Sequence, residues 1–168
     1  GKEPKYDYSF NFQNWYPSAE YETTNTRNNL GLFDLSSFSK FDLKGDSIHN
    51  ELQKISTANV KNTPGNITYT QMLNQDGGIE TDSSIVCIDK NHFRVVSSAA
   101  TRDHDKNHIQ KYLSDNADLK DITEDLCCFG LFGPKSRQML TKLSSDDFSN
   151  EKFKFGTAKF VKIKGIDV

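Results

Sequence analysis

Ile67-Thr68-Tyr69-Thr70-Gln71-Met72-Leu73, then Asn74-Gln75-Asp76-Gly77-Gly78, then Ile79-Glu80-Thr81-Asp82-Ser83-Ser84-Ile85-Val86-Cys87-Ile88, is the stretch that decides the fold. The two outer runs are rich in β-branched residues and alternate in character, as strands do, and the segment between them carries the glycines that a turn with positive φ requires. The whole reads as a hairpin. Alternation places Glu80, Asp82, Ser84, Val86 and Ile88 on one face and Ile79, Thr81, Ser83, Ile85 and Cys87 on the other. Because the first face turns apolar along the strand, Asp82 is expected at the edge of the core, where a carboxylate needs partners. A structural role would pair it with a lysine or a backbone N–H. If the strands pair, Tyr69 and Asp82 face the same cavity.

Upstream of the hairpin, Ser18 is placed to cap a helix over 19–29 that Gly31 stops. Phe33-Asp34-Leu35-Ser36 follows, and Lys40-Phe41-Asp42-Leu43 alternates as a half-buried strand. Ile48, Leu52 and Ile55 fall at i, i+4 and i+7, giving a second helix after Gly45 with Asp46 as its cap. Downstream come a turn over 89–92, a strand over 93–98 and a helix over 103–113. Strands over 119–122 and 126–132, a helix opened by Pro134 and final strands over 153–160 and 161–163 complete the pattern. Helices interleaved with hairpins give an α+β class with mixed, largely antiparallel sheets and packed helices.

The 168 residues suit one core, and 12 Phe, 6 Tyr and one Trp supply large side chains for it. Lys plus Arg number 21 against 23 Asp plus Glu, a formal net charge of -2, which excludes nucleic acid as a partner for want of a positive field. No apolar run is long enough to span a membrane, and the first residues do not resemble a signal peptide. A cytoplasmic chain is the expectation. The 3 Cys are an odd number, with Cys127 and Cys128 adjacent and Cys87 alone in apolar runs, which suits reduced, buried thiols. Asn66-Ile67-Thr68 matches the glycosylation tripeptide by chance.

Two weaker patterns carry little. His104 and His108 stand at i, i+4, but no Glu follows the first His and no third ligand is near, so no metal is expected and both are read as solvated. Gly130, Gly133 and Pro134 precede Lys135, Ser136 and Arg137 without the ending of a phosphate-binding loop, and are read as a strand-to-helix turn.

Several segments resemble one family in order and spacing. Tyr69-Thr70-Gln71-Met72-Leu73-Asn74 and Gly77-Gly78-Ile79-Glu80-Thr81-Asp82 resemble the tyrosine strand and Gly-Gly-Ile-x-x-Asp segment of the glycine-cleavage T-protein (aminomethyltransferase) family. Thr26-Arg27, the run from Gly31 to Lys40, the strand from Phe93 to Ser98 and Phe132-Gly133-Pro134 are similar to its further segments. Asn14-Trp15-Tyr16-Pro17, Asp34-Leu35-Ser36-Ser37-Phe38-Ser39-Lys40 and Thr101-Arg102-Asp103 resemble the folate-binding half of dimethylglycine dehydrogenase and sarcosine dehydrogenase.

That resemblance implies a folate-binding domain over 18–168, C-terminally incomplete, preceded by an arm over 1–17 left by a cut between domains. It implies tetrahydrofolate as cofactor, with FAD confined to a preceding flavin domain that is the partner in the parent chain. The implied activity captures a one-carbon unit from an N-methyl amine such as dimethylglycine or sarcosine as 5,10-methylene-tetrahydrofolate, the fragment alone being inactive. Asp82 takes the catalytic role, stabilising positive charge beside the reacting nitrogens. Tyr69, Phe38, Val96 and Ser97 line the cofactor, Phe38 standing where the family has Met and Ser97 or Ser98 where it often has Asn. The alternatives are folate-dependent S- or O-demethylation on the same fold, and a non-catalytic folate-binding or structural module.

Overall fold

The computed structural model describes residues 5–168; the first four residues of the arm expected over 1–17 lie outside them. The central turn forms because Asn74 Oδ1 accepts from the backbone N–H groups of Asp76 (3.0 Å) and Gly78 (2.8 Å), while Gly77 adopts φ +82°. In chain order the elements are α1 (Tyr16–Asn28), β1 (Gly31–Asp34), β2 (Ser39–Lys44), α2 (Ile48–Ile55), β3 (Ile67–Leu73), β4 (Ile79–Asp89) and β5 (His92–Ser97). They continue with α3 (Arg102–Gln110), β6 (Asp118–Asp121), β7 (Phe129–Phe132), α4 (Ser136–Leu143), β8 (Lys162–Ile163) and β9 (Ile166–Asp167).

Five strands form the main sheet in the order β3-β4-β5-β2-β6, and every pairing is antiparallel. β1 and β7 make a separate two-stranded ribbon, and β8 with β9 a second one. The α+β class read from the sequence is the observed one.

One face of the sheet packs on helices. Phe41, Leu43, Met72, Ile85, Cys87, Phe93 and Val95 from the strands meet Ile48, Leu52 and Ile55 of α2 and Ile109 of α3, all buried. Each such side chain contributes about 1.5–3 kcal/mol through the apolar area withdrawn from water. Helix α2 realises the i, i+4, i+7 stripe, although Ser47, not Asp46, stands at its N-cap.

The face assignment of β4 is the reverse of the sequence expectation. Thr81, Ser83, Ile85 and Cys87 are buried, and Asp82 on the other face is exposed. Ile85 and Cys87 decide the matter, because Val86 and Ile88 on the opposite face stay half-buried. A register shift at Met72/Leu73 sets Leu73 against Ile79 and Met72 against Thr81, so Glu80 is the extra residue of a β-bulge. The bulge turns Glu80 toward α3, where its carboxylate lies 2.9 Å from His104 Nε2.

The outer edge of β3 is occupied at both ends. Thr57 N–H donates to the Gln71 carbonyl (2.9 Å), and Ile67 N–H donates to the Gly156 carbonyl (2.9 Å). Residues 156–158 clip there, with Ala158 N–H on the Gly65 carbonyl at 2.7 Å. Gly65 has φ +84°, and a Cβ on it would come within 2.9 Å of the Ala158 carbonyl oxygen, so only glycine admits this approach without strain.

Other expectations are corrected. The strand expected over 153–160 is a set of turns touching the sheet through an isolated bridge between Asn66 and Thr157. Helix α1 begins at Tyr16, with Pro17 in its first turn in place of the Ser18 cap, and α3 ends at Gln110. Cys87 is buried as expected, but Cys127 is exposed and Cys128 half-buried. They lie on a link tied to the turn after β1, where Leu35 N–H donates to the Cys128 carbonyl and Cys128 N–H to Ser36 Oγ. His108 is buried, and only His104 is solvated.

Candidate functional site

The face of the sheet turned away from α2 and α3 carries the candidate site. Register aligns Tyr69 with Ser84, Ser84 with Val96 and Val96 with Lys40, one row across four strands. The neighbouring row begins with Gln71 opposite Asp82, and Phe38 lies just before β2.

Asp82 is held by the partner strand. Tyr69 Oη donates to Asp82 Oδ2 at 2.6 Å and Gln71 Nε2 donates to Oδ1 at 2.9 Å. The partners are thus a phenol and an amide, not the lysine or backbone N–H of the structural alternative. The hydrogen bond to Asp82 pushes the Tyr69 hydroxyl above the ordinary tyrosine range, since ionisation would remove the donated proton and set two anions together. In place of the expected cavity edge, the pair stands on an open face: Tyr69 is 64% exposed.

Val96 shares that face half-buried, and Phe38 presents an exposed ring at its end. Ser97 does not join them. Alternation sends it to the packed face, buried opposite Ser83 and Ser39. Ser98 is exposed, but its Oγ accepts from Ala100 N–H and caps the following turn.

Lys40 was not singled out from the sequence. It is 3% exposed, and its Nζ donates to three backbone carbonyls, Ser36 (2.9 Å), Phe38 (2.8 Å) and Thr123 (3.2 Å). The ammonium thereby ties the turn that carries Phe38 to the turn after β6. The available signal was a lysine directly preceding the core residue Phe41 in a strand.

Beside the bulge, Glu80 pairs with His104 and receives Asn74 Nδ2 at 2.7 Å, and the bond from Asn74 lowers its pKa. Asp105, buried, accepts from Thr81 Oγ1 (3.0 Å) and Thr101 Oγ1 (2.9 Å). Burial lowers the His108 pKa. Among the described residues no group of three His, Cys, Asp or Glu side chains is arranged to hold a metal ion, and no helix is long and apolar enough to cross a membrane.

Fold and site together define an antiparallel α+β domain with a carboxylate held on the open face of its main sheet. The chain belongs to the aminomethyltransferase family: the GCVT N-terminal domain model matches residues 3–168. It is 32% identical over 164 residues to 4-methylaminobutanoate oxidase (formaldehyde-forming) of Paenarthrobacter nicotinovorans, covering 97% of this chain and 20% of that protein. It is 30% identical over 175 residues to human mitochondrial sarcosine dehydrogenase, covering 95% of this chain and 19% of that one. The chain therefore spans about a fifth of the length of these relatives. Among solved structures, the glycine cleavage system aminomethyltransferase T from Bartonella henselae superposes with a TM-score of 0.66 at 18% identity, over 83% of this chain and 39% of that one.

Proposed function

We propose that this domain binds tetrahydrofolate and captures a one-carbon unit from an N-methyl amine as 5,10-methylene-tetrahydrofolate. The observation that carries the reading is the Asp82 carboxylate, fixed by Tyr69 and Gln71 on an open face beside Val96 and Phe38. A flat, amine-bearing ring fits such a face, with apolar contact along the row and an acceptor for its N–H groups. Bound there, the reduced pterin supplies the nitrogen nucleophiles that accept the one-carbon unit.

The chain's own contribution is electrostatic and positional. An amine-derived iminium carries positive charge, and Asp82 stabilises that charge while the Tyr69 and Gln71 donors keep its oxygens from rotating away. Tyr69 offers its ring as a wall. The amine is oxidised elsewhere in this reading, in a preceding flavin domain, and names among the relatives, sarcosine dehydrogenase and 4-methylaminobutanoate oxidase, agree with an N-methyl amine donor. The domain alone is then inactive.

The test is Asp82→Asn in the full-length protein, with methylene-tetrahydrofolate and free formaldehyde both quantified during amine turnover. The reading requires folate-dependent capture to fall at least tenfold while amine oxidation is unchanged, the lost one-carbon unit emerging as formaldehyde. Undiminished capture rules out the role given to Asp82. Transfer of an intact methyl group to folate from an S- or O-methyl donor selects the demethylase instead.

A further inference from the structure

Glu80 and Thr81, the two residues immediately before Asp82 on β4, are both anchored on α3 through adjacent residues of that helix. With hydrogen on Nε2, His104 donates to Glu80 Oε2 at 2.9 Å, and Thr81 Oγ1 donates to Asp105 Oδ1 at 3.0 Å. His104 Nδ1 lies 3.3 Å from the same Asp105 oxygen, so the contacts close into a ring: Glu80, His104, Asp105, Thr81 and back through the β4 backbone. The helix end of the ring is firm. Asp105 is 1% exposed, and its second oxygen accepts from Thr101 Oγ1 at 2.9 Å. On the strand side, Asn74 Nδ2 donates to Glu80 Oε1 at 2.7 Å, which joins the hairpin turn to the ring.

The ring sits where the strand is least regular. Glu80 is the extra residue of the bulge, and a bulge bends its strand and adds twist, re-aiming the side chains beside it. Asp82 is one of these. It is exposed, as is Tyr69, so its orientation comes from the strand beneath it and from the bonds donated by Tyr69 and Gln71. Those bonds form only if β4 presents the carboxylate at the angle that brings Oδ2 to 2.6 Å from the phenol. The His104 side chain is 52% exposed, so its placement serves the two carboxylates it touches and not the core.

We propose that His104 is a positioning residue for Asp82: through Glu80 it fixes the bulge, and the fixed bulge presents the carboxylate to Tyr69, Gln71 and the reacting nitrogens. Its consequence for catalysis rests on the folate reading of Asp82; its consequence for the Tyr69 contact does not.

The experiment uses the full-length protein with 3-fluorotyrosine incorporated at position 69. Fluorine NMR then follows that hydroxyl alone through an alkaline titration, alongside methylene-tetrahydrofolate formed per amine oxidised. Wild type, His104→Ala, His104→Gln, Glu80→Ala and the variant carrying both alanines are compared. His104→Ala is expected to lower the midpoint of the Tyr69 titration, because the bond to Asp82 loosens, and to reduce capture at least fivefold. His104→Gln, whose amide N–H takes the place of the Nε2 donor, is expected to stay within twofold of wild type. Adding His104→Ala to Glu80→Ala should change capture less than twofold, since both break one link. A Tyr69 midpoint and a capture equal to wild type in His104→Ala overturn the proposal. So does a loss of capture with an unmoved midpoint, because the effect then does not pass through Asp82, and so do equal losses in His104→Ala and His104→Gln. Should His104→Ala fail to fold, His104→Asn, whose shorter side chain does not reach Glu80, takes its place. If Asp82→Asn leaves capture unchanged, the folate reading fails and the fluorine titration alone decides. A lowered midpoint in His104→Ala then upholds the positioning role, and an unmoved one overturns it.

Discussion

Tyr69 Oη and Asp82 Oδ2 lie 2.6 Å apart, joined across two paired strands but not directly opposite each other: Asp82 faces Gln71 in register, and Tyr69 reaches it diagonally. Diagonal neighbours on one sheet face are within reach of long aromatic side chains. Asp82 therefore takes one donor from the residue opposite and one from the residue two positions earlier on β3.

Removing the acceptor is expected to release the phenol. In Asp82→Ala the Tyr69 hydroxyl should titrate at lower pH than in wild type, returning toward the ordinary tyrosine value, because the bond to the carboxylate is what raises it. Carbon-13 chemical shifts of labelled tyrosine through an alkaline titration report this. An unmoved Tyr69 midpoint contradicts the hydrogen bond as the cause.

Lys40→Met keeps most of the side chain's length and deletes its donors. Three carbonyls then lose a partner, two of them on the turn that holds Phe38. Only the Thr123 bond is buried, the other two being part-buried, and an unpaired buried acceptor costs about 1–3 kcal/mol, so a loss of roughly 1–3 kcal/mol is expected in urea unfolding. A midpoint equal to that of wild type means that the ammonium is not bonded as described.

Asp121 gives an acid-dependent prediction. Burial alone would raise its pKa, but hydrogen bonds from Arg102 and Thr123 outweigh burial and hold the carboxyl at about 2. A folded-state value depressed below that of the unfolded chain contributes stability at pH values above the unfolded pKa of about 4, and that contribution is lost as pH falls toward the folded value. Asp121→Asn should thus be less stable than wild type by about 1–3 kcal/mol at neutral pH. The gap should narrow steadily below about pH 4. Thermal melts of both proteins across that interval check the sign.

Gly65→Ala places a Cβ against the Ala158 carbonyl and forces an L side chain into φ +84°. A cost of about 1–2 kcal/mol is expected, with faster amide exchange at Ile67 and Ala158 than elsewhere in the molecule. Uniform exchange changes across the sheet point to a different origin.

Thiol chemistry separates the cysteines. Cys127 should react fastest with a disulfide reagent and Cys128 more slowly, while Cys87, whose thiol burial pushes up, should stay protected until the sheet opens. Rapid modification of all three thiols in native protein rules this order out.

The hairpin was legible because its turn is local chemistry: Asn74 and the glycines act within five residues. Helix α2 was legible for a similar reason, its apolar spacing being regular. The facing of β4 was not, since Thr81 and Ser83 look polar in sequence yet enter the packed face, Thr81 finding Asp105 from a helix more than twenty residues away. Nor did alternation foresee the bulge that redirects Glu80, because one extra residue shifts everything before it by half a period. Ser97, by contrast, was within reach of alternation: it shares a face of β5 with Phe93 and Val95, which enter the core, and so lies on the opposite side from Val96. Around 153–160 no strand forms: Phe153, with Phe148 upstream of the segment, receives Lys159, while Phe155 and Phe160 are exposed. Tyr69 and Asp82 were placed together correctly, but their exposure depends on what lies over the sheet, which alternation does not encode.

The clipping of β3 at Thr57 and Gly156 bears on how this chain behaves in company. A bare outermost strand offers its main-chain groups as a template on which other molecules stack. Here the carbonyl of Gln71 and the N–H of Ile67 are already engaged from within the same chain. The hairpin that bears Tyr69 and Asp82 is thereby shielded from self-association along the flank where it would otherwise be most vulnerable.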